Sequence, residues 1–236
     1  MICRYPYPRT MRTFVPVYLG GRCIELFKTL FAKYWPGQEL VVVPNDTEKW
    51  WSNSLIDFFN SIEDKYFALF LEDHILVRPV ELSVIADCEE MMNHVDKIEL
   101  TGAFFTREDL IRSEKTENSE FFDVSQTDAY RATLHPCIWK REYFLKLLRP
   151  WMTAWDFELK NDKRSVNDGR RVLAVRPYPC GMANFLDKGK VNKNCLNEFR
   201  DEDRELARAA YFLFLGLFPG IYQILEPFNE VAFGVW

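Results

Sequence analysis

Apolar and polar positions change period repeatedly along the first hundred residues. Residues 13–19, TFVPVYL, form a short apolar run that predicts a strand, with Pro16 placing it in an edge-like or irregular position. After Gly20-Gly21 and from Arg22 onward, Ile24, Phe27, Phe31 and Tyr34 recur at helical spacing until Pro36-Gly37 stops them. Residues 39–43 predict a second buried strand, ending at Pro44-Asn45-Asp46. Asp46 or Thr47 then caps a helix whose stripe is Trp51, Leu55, Phe58, Phe59 and Ile62.

The pattern centres on residues 66–79, YFALFLEDHILVRP. Its run from Phe67 to Leu71 is too short for a membrane span and too continuous for a half-exposed strand, so it predicts a strand buried on both faces. Glu72-Asp73-His74 interrupt it before Ile75-Leu76-Val77 resume, which puts an acidic step inside or at the end of a central strand. Open α/β sheets bind ligands beyond the carboxyl ends of their strands, so this step is the first candidate site. Capping a turn or pairing with an arginine is the alternative task for Asp73.

A helix carrying Leu82, Ile85, Cys88, Met92 and Val95 follows, and residues 98–105 predict another strand. Strands alternating with helices argue for a mostly parallel sheet covered on both sides. Residues 106–128 turn polar and read as a long surface excursion. A helix over 140–148 directs Tyr143, Phe144, Leu147 and Leu148 inward, and another begins near Trp155. Residues 172–175 read as a last strand, 181–194 as a polar, basic loop, and 200–204 as a solvated helix start.

The 236 residues are 48% hydrophobic and 16% aromatic, enough to bury a substantial core. A net charge of −5 argues against a general nucleic-acid binder, so any phosphate site is local. Six cysteines lack metal-ligand spacing and read as free thiols; with no apolar leader in residues 1–12, a cytoplasmic location is expected. Residues 209–225 are strongly apolar but broken by Gly216, Pro219 and Gly220. Packing against the domain or in a homo-oligomer is expected over peripheral membrane contact.

Three stretches resemble nucleotide-sugar-dependent glycosyltransferases of the GT-A fold, in particular family-2-like enzymes of bacterial and viral surface-polysaccharide biosynthesis. They are YLGGRCIELFKTLFAKYWPG, FLEDHILVRPV and YRATLHPCIWKREYFLKLLRPWMTAWDFE, within residues 13–195. The resemblance implies a Rossmann-like, mostly parallel mixed sheet flanked by helices, as a single domain with a C-terminal helical extension. Its expected divisions are an extension (1–12), the transferase domain (13–199) and an apolar helical segment (200–236). Within the domain, 13–105 would bind nucleotide and 129–199 the acceptor. It departs from the family in Glu72-Asp73-His74, where two aspartates are usual, and in His135, where glutamine is usual.

The implied reaction moves a sugar from a nucleoside-diphosphate sugar to a hydroxyl of a glycan or similar acceptor, with Mn²⁺ or Mg²⁺ and inversion. The departing diphosphate gains charge that a cation must meet, and the acceptor hydroxyl loses a proton that a base must take. On this reading Asp73 holds the metal with help from His74, and Glu72 contacts ribose or orients the site. Arg22, Asn45, Asp46 and His135 serve the donor, and Lys188 and Lys190 close over the diphosphate. Asp156 is the expected base and Glu158 the second candidate; a carboxylate at a helix start is also favourable for purely structural reasons. Trp139 and Trp155 read either as core or as sugar-stacking rings. A dinucleotide-binding protein is disfavoured because no G-x-G-x-x-G follows a strand. A non-catalytic glycan- or nucleotide-binding module with the same fold is the other reading.

Overall fold

The computed structural model describes residues 11–17, 23–45, 49–102, 110–187 and 190–214. Arg22, Asp46, Lys188 and the Gly20-Gly21 turn lie outside the described residues, as do most of residues 1–12 and 215–225. The strands are β1 (Thr13–Pro16), β2 (Leu40–Val43), β3 (Tyr66–Leu69), β4 (His74–Leu76), β5 (Lys97–Glu99), β6 (Ile111–Lys115), β7 (Glu120–Asp123), β8 (Cys137–Lys140), β9 (Val172–Arg176), β10 (Met182–Asn184), β11 (Leu186–Asp187) and β12 (Lys190–Val191). The helices are α1 (Ile24–Tyr34), α2 (Trp51–Ser61), α3 (Leu82–Met91), α4 (Arg141–Leu147), α5 (Ala154–Ser165) and α6 (Asp201–Phe214), with a 3-10 turn at Lys193–Asn197.

Among the described residues, one sheet runs β2-β1-β3-β8-β5-β9-β7-β6. β1 is parallel to β2 and β3, and β5 is parallel to β9. β8 lies antiparallel between β3 and β5, so β1, β2, β3, β5 and β9 all point the same way. Their carboxyl ends share one edge. The result is a mixed, mostly parallel α/β sheet of Rossmann-like form, with helices on both faces.

Strand alternation explains why both faces are buried. Val15, Ala68, Ile98, Ile138, Leu173 and Val175 face one core, which also takes in Phe27, Phe31 and Tyr34 of α1 and Ile85 and Cys88 of α3. Phe14, Phe67, Leu69, Trp139, Val172 and Ala174 face the other, against Leu55 and Phe59 of α2, Phe144 of α4 and Phe157 of α5. Phe14 sits edge to face against Phe58, Phe59 and Phe67, with centroids 5.3 to 5.5 Å apart. The aromatic excess is therefore largely core, Trp139 included.

Several expectations change. β1 is an interior strand rather than an edge. Thr13 donates to Glu39, just before β2, and Val17 to Val43 of β2, while the carbonyl of Phe14 accepts from Phe70, so the nitrogen of Pro16 faces the β3 side. It lies there beyond the last paired residue, Leu69, and no ladder bond is lost. The polar stretch 106–128 contains the hairpin β6–β7, which extends the sheet through β9. β8, at the centre of the sheet, had no sequence expectation. The loop 181–194 holds β10, β11 and β12, and β10 pairs with β4 as a separate small ladder.

The start of α6 is not fully solvated. Asp203 is buried and accepts from the Tyr34 hydroxyl and, at 2.6 Å, from Lys33, which joins α6 to α1. Ala207 and Ala210 of α6 enter the first core. No helix among the described residues is long and apolar enough to cross a membrane. Cys23, Cys88, Cys137, Cys180 and Cys195 are buried free thiols, in line with the sequence reading.

Candidate functional site

The acidic step marks where the chain leaves the large sheet. β3 ends at Leu69 and β4 begins at His74 in the small ladder, so Glu72 and Asp73 occupy the turn between two sheets, at the shared carboxyl edge. Backbone bonds fix this turn at three points: Phe70 N–H to Phe14 at 3.1 Å, His74 N–H to Leu71 at 3.0 Å, and Phe185 N–H to the Asp73 carbonyl at 2.8 Å. Glu72, Asp73 and His74 are all buried. Burial, reinforced by the charge of His135, lowers the His74 pKa to about 3, so its imidazole is neutral at physiological pH.

His135 reaches the same edge from the antiparallel strand. It precedes β8, and Pro136 ties that end of the strand to Leu100 beyond β5 through a 3.0 Å bond from the Leu100 N–H. The His135 and His74 rings meet edge to face with centroids 5.5 Å apart. Glu158 of α5 stands behind this loop. Its Oε1 accepts from the Leu134 N–H at 2.7 Å and from the Thr133 hydroxyl at 3.1 Å. Two buried cations complete the support. Lys97 donates to the carbonyls of Arg131 and Thr133 at 3.2 and 3.0 Å, lies 3.4 Å from Glu99, and sits 4.7 Å over the Trp139 ring. Arg131 is fully buried and gives its guanidinium protons to the carbonyls of Val124, Ser125, Ser165 and Arg170.

A cavity of about 540 Å³ opens beside the histidine pair. Val77 and Arg78 follow β4, Thr101 and Gly102 follow β5, and His135, Tyr178, Cys180, Gly181, Met182 and Glu198 close the walls. Thr101 donates to Glu99 at 2.6 Å, which connects this wall to the buried Lys97. Tyr178 packs over Gly102, where a Cβ would lie 3.1 Å from the ring. Burial raises the pKa of Glu198.

Glu72, Asp73, His74, His135 and Glu158 are thus gathered in one region. Lys190 opens β12, whose partner β11 directly follows Phe185, the residue bonded to Asp73, so the basic hairpin is tethered to the acidic turn. Asn45 follows β2 on the same edge, and its Oδ1 accepts from Ser54 at 3.4 Å.

Asp156 fills the structural role that a carboxylate at a helix start can take. It forms a capping box with Thr153, accepting from the Thr153 N–H at 3.0 Å and hydroxyl at 2.9 Å, while Thr153 accepts from the Asp156 N–H. Its other oxygen pairs with Lys160 at 2.8 Å. The hydrogen bond from Lys160, then those from Thr153, lower its pKa to about 2, which leaves little basicity. Trp155 is half exposed, outside the core.

Among the described residues, no three His, Cys, Asp or Glu side chains group as a metal site. The Asp73 carboxylate is a ligand type suited to Mg²⁺ or Mn²⁺, whereas the adjacent His74 imidazole suits Mn²⁺ and is a poor ligand for Mg²⁺.

No family model and no curated protein matches this chain. Among solved structures, A197 from STIV is similar over 75% of this chain and 87% of its own, at 18% identity and a TM-score of 0.42. S. aureus TarS 1-349 in complex with UDP-GlcNAc is similar over 96% of this chain and 76% of its own, at 12% identity and a TM-score of 0.45. An apo UDP-glucose pyrophosphorylase is similar over 85% and 98%, at 10% identity and a TM-score of 0.41.

Proposed function

We propose that this protein is a metal-assisted glycosyltransferase of GT-A type, moving a sugar from a nucleoside-diphosphate sugar to a hydroxyl of a glycan or similar acceptor. The observation that carries the reading is the buried Glu72-Asp73-His74 turn, held between two sheets at the carboxyl edge of the parallel strands and facing His135 beside a cavity. Asn45, Glu72 and the tethered Lys190 hairpin supply donor contacts on one side of that turn, with Arg22, Asp46 and Lys188 as further donor residues. Asp73, assisted by His74, would hold Mn²⁺ or Mg²⁺, which supplies charge neutralisation for the departing diphosphate.

The proton of the acceptor hydroxyl goes to His135 in this proposal. His135 lines the cavity, whereas Asp156 caps α5 and Glu158 is engaged by Thr133 and Leu134. Glu158 is then a positioning residue, fixing the turn from which His135 projects. An acceptor hydroxyl delivered to the face of the sugar opposite the departing diphosphate would give inversion.

Thermal melting with UDP, GDP, CDP and dTDP, each with Mn²⁺, Mg²⁺ or chelator, tests the donor site. A ligand that binds the native state raises the melting temperature, and a metal-dependent rise with one nucleotide is expected. No rise with any pair would remove the reading. The departure of Glu72-Asp73-His74 from the usual pair of aspartates suggests one rival, a non-catalytic nucleotide- or glycan-binding module. Hydrolysis or transfer of the donor sugar excludes that rival.

A further inference from the structure

Arg78 is placed as if to meet an anion. It lies across Gly181, where an added Cβ would sit 2.1 Å from its Nε and 2.4 Å from its Cγ, so only a glycine leaves room for the side chain in this position. The Val77 N–H donates to the Gly181 carbonyl at 3.0 Å, which locks the two segments in register beneath it. Most other described arginines are committed. Arg12, Arg170 and Arg171 pair with aspartates, while Arg131 and Arg141 bond backbone carbonyls. Among the described residues, Arg78 has no hydrogen bond or ion pair, yet it borders the cavity.

The remaining walls say what else the occupant carries. Tyr178 offers an aromatic face, Thr101 and His135 offer polar atoms, and Glu198 places a carboxylate on the wall that accepts hydroxyl protons. A volume of about 540 Å³ lies within the range of small-molecule sites and admits a sugar ring with room beyond it. Arginine presents a planar fork that matches carboxylate and phosphate oxygens in pairs.

We propose that this cavity is an acceptor subsite for an acidic sugar, one bearing a carboxylate or a phosphate that Arg78 grips while the ring lies toward Tyr178 and His135. This rests on the glycosyltransferase reading for the word acceptor, but the binding preference itself does not depend on it.

Ligand-detected NMR titrations of the full chain with glucuronate, glucose 6-phosphate and glucose, run in parallel with calorimetry of UDP and Mn²⁺, test it. Either or both acidic sugars are expected to bind at least tenfold more tightly than glucose, and the arm that binds names the group. Arg78→Gln, at an exposed position, should abolish that preference and leave UDP affinity unchanged. Gly181→Ala should reproduce the loss by displacing Arg78, with the melting temperature checked alongside. Equal binding of all three sugars, or no binding of the acids, overturns the proposal. So does an Arg78→Gln variant that loses UDP instead, since Arg78 would then serve the diphosphate. An acid preference without any nucleotide binding would sink the donor reading alone.

Discussion

The rings of His74 and His135 stand edge to face at 5.5 Å, one from the start of the small ladder and the other from the loop before the central antiparallel strand. Burial keeps His74 neutral, and of the two rings it is His135 that lines the cavity. His135→Ala is therefore expected to lower kcat by about 10²- to 10⁴-fold, the usual worth of a general base, with nucleotide affinity nearly unchanged. A parallel fall in both would assign His135 to the donor, the role its place in the sequence first indicated.

Glu158 and Asp156 separate two kinds of carboxylate. Glu158→Gln keeps an oxygen for Leu134 and Thr133 and should retain most activity and stability. Glu158→Ala leaves the Leu134 N–H without its acceptor, a loss of about 1–3 kcal/mol, and lowers kcat by moving His135. Asp156→Asn should stay active, whereas Asp156→Ala should cost about 1 kcal/mol in chemical denaturation through the lost cap. An inactive but stable Asp156→Asn would restore Asp156 as the base.

Lys97 and Glu99 are both fully buried, 3.4 Å apart. Removing one partner strands the other charge, so Lys97→Met is expected to destabilise the fold by about 3–5 kcal/mol. The double variant Lys97→Met, Glu99→Gln should recover part of that loss. Additive losses across the double-mutant cycle would show that the two charges do not support each other.

Arg12 grips Asp64 with both ends of its guanidinium, Nε to Oδ1 at 2.8 Å and the second nitrogen to Oδ2. The Asp64 carboxyl is held below its ordinary pKa chiefly by that hydrogen bond. A depressed native pKa stabilises the fold above the unfolded value and ceases to do so as pH falls through the native one. The melting-temperature gap between wild type and Asp64→Asn should be full near neutrality and close progressively below about pH 4. A gap independent of pH would contradict the assignment.

Trp151 adopts φ +68°, a region costly for a side chain, although its own side chain is 66% exposed. Its N–H donates to Asn53 Oδ1 at 2.8 Å, and Met152 bonds Ser52 in both directions, so the end of the 148–153 connection is moulded onto the start of α2. Trp151→Gly should be more stable than wild type by about 0.5–1 kcal/mol in urea titration. A loss instead would show that the ring contributes contacts that outweigh the backbone strain.

The alternation that buries both faces of β3 was legible because every residue from Phe67 to Leu71 is apolar. The α1 and α2 stripes were legible for the matching helical reason. β8 escaped notice because Cys137-Ile138-Trp139 is brief and runs straight into α4, so no turn signal separates strand from helix. The β6–β7 hairpin escaped because β6 is nearly all polar or charged, as suits the sheet edge it forms. At the site, Glu72-Asp73-His74 stood out as charge breaking an apolar run. Arg78, Tyr178 and Glu198 carry no periodic signal; only the folded chain brings them to one cavity. Nothing local in the sequence foretells the burial of Lys97 and Arg131, which depends on carbonyls arriving from distant segments.

The turn between β3 and β4 has only residues 70–73 to span two separate ladders, each with its own register. The site sets which side chains stand at these positions, and the two ladders set how many residues separate them. One residue added or removed between Leu69 and His74 would slip β4 along β10 and turn His74 and Leu76 to the opposite face, or else tear the turn from Phe14 and Phe185. Spacing at the acidic step is therefore constrained by the fold itself, independently of the chemistry its side chains carry.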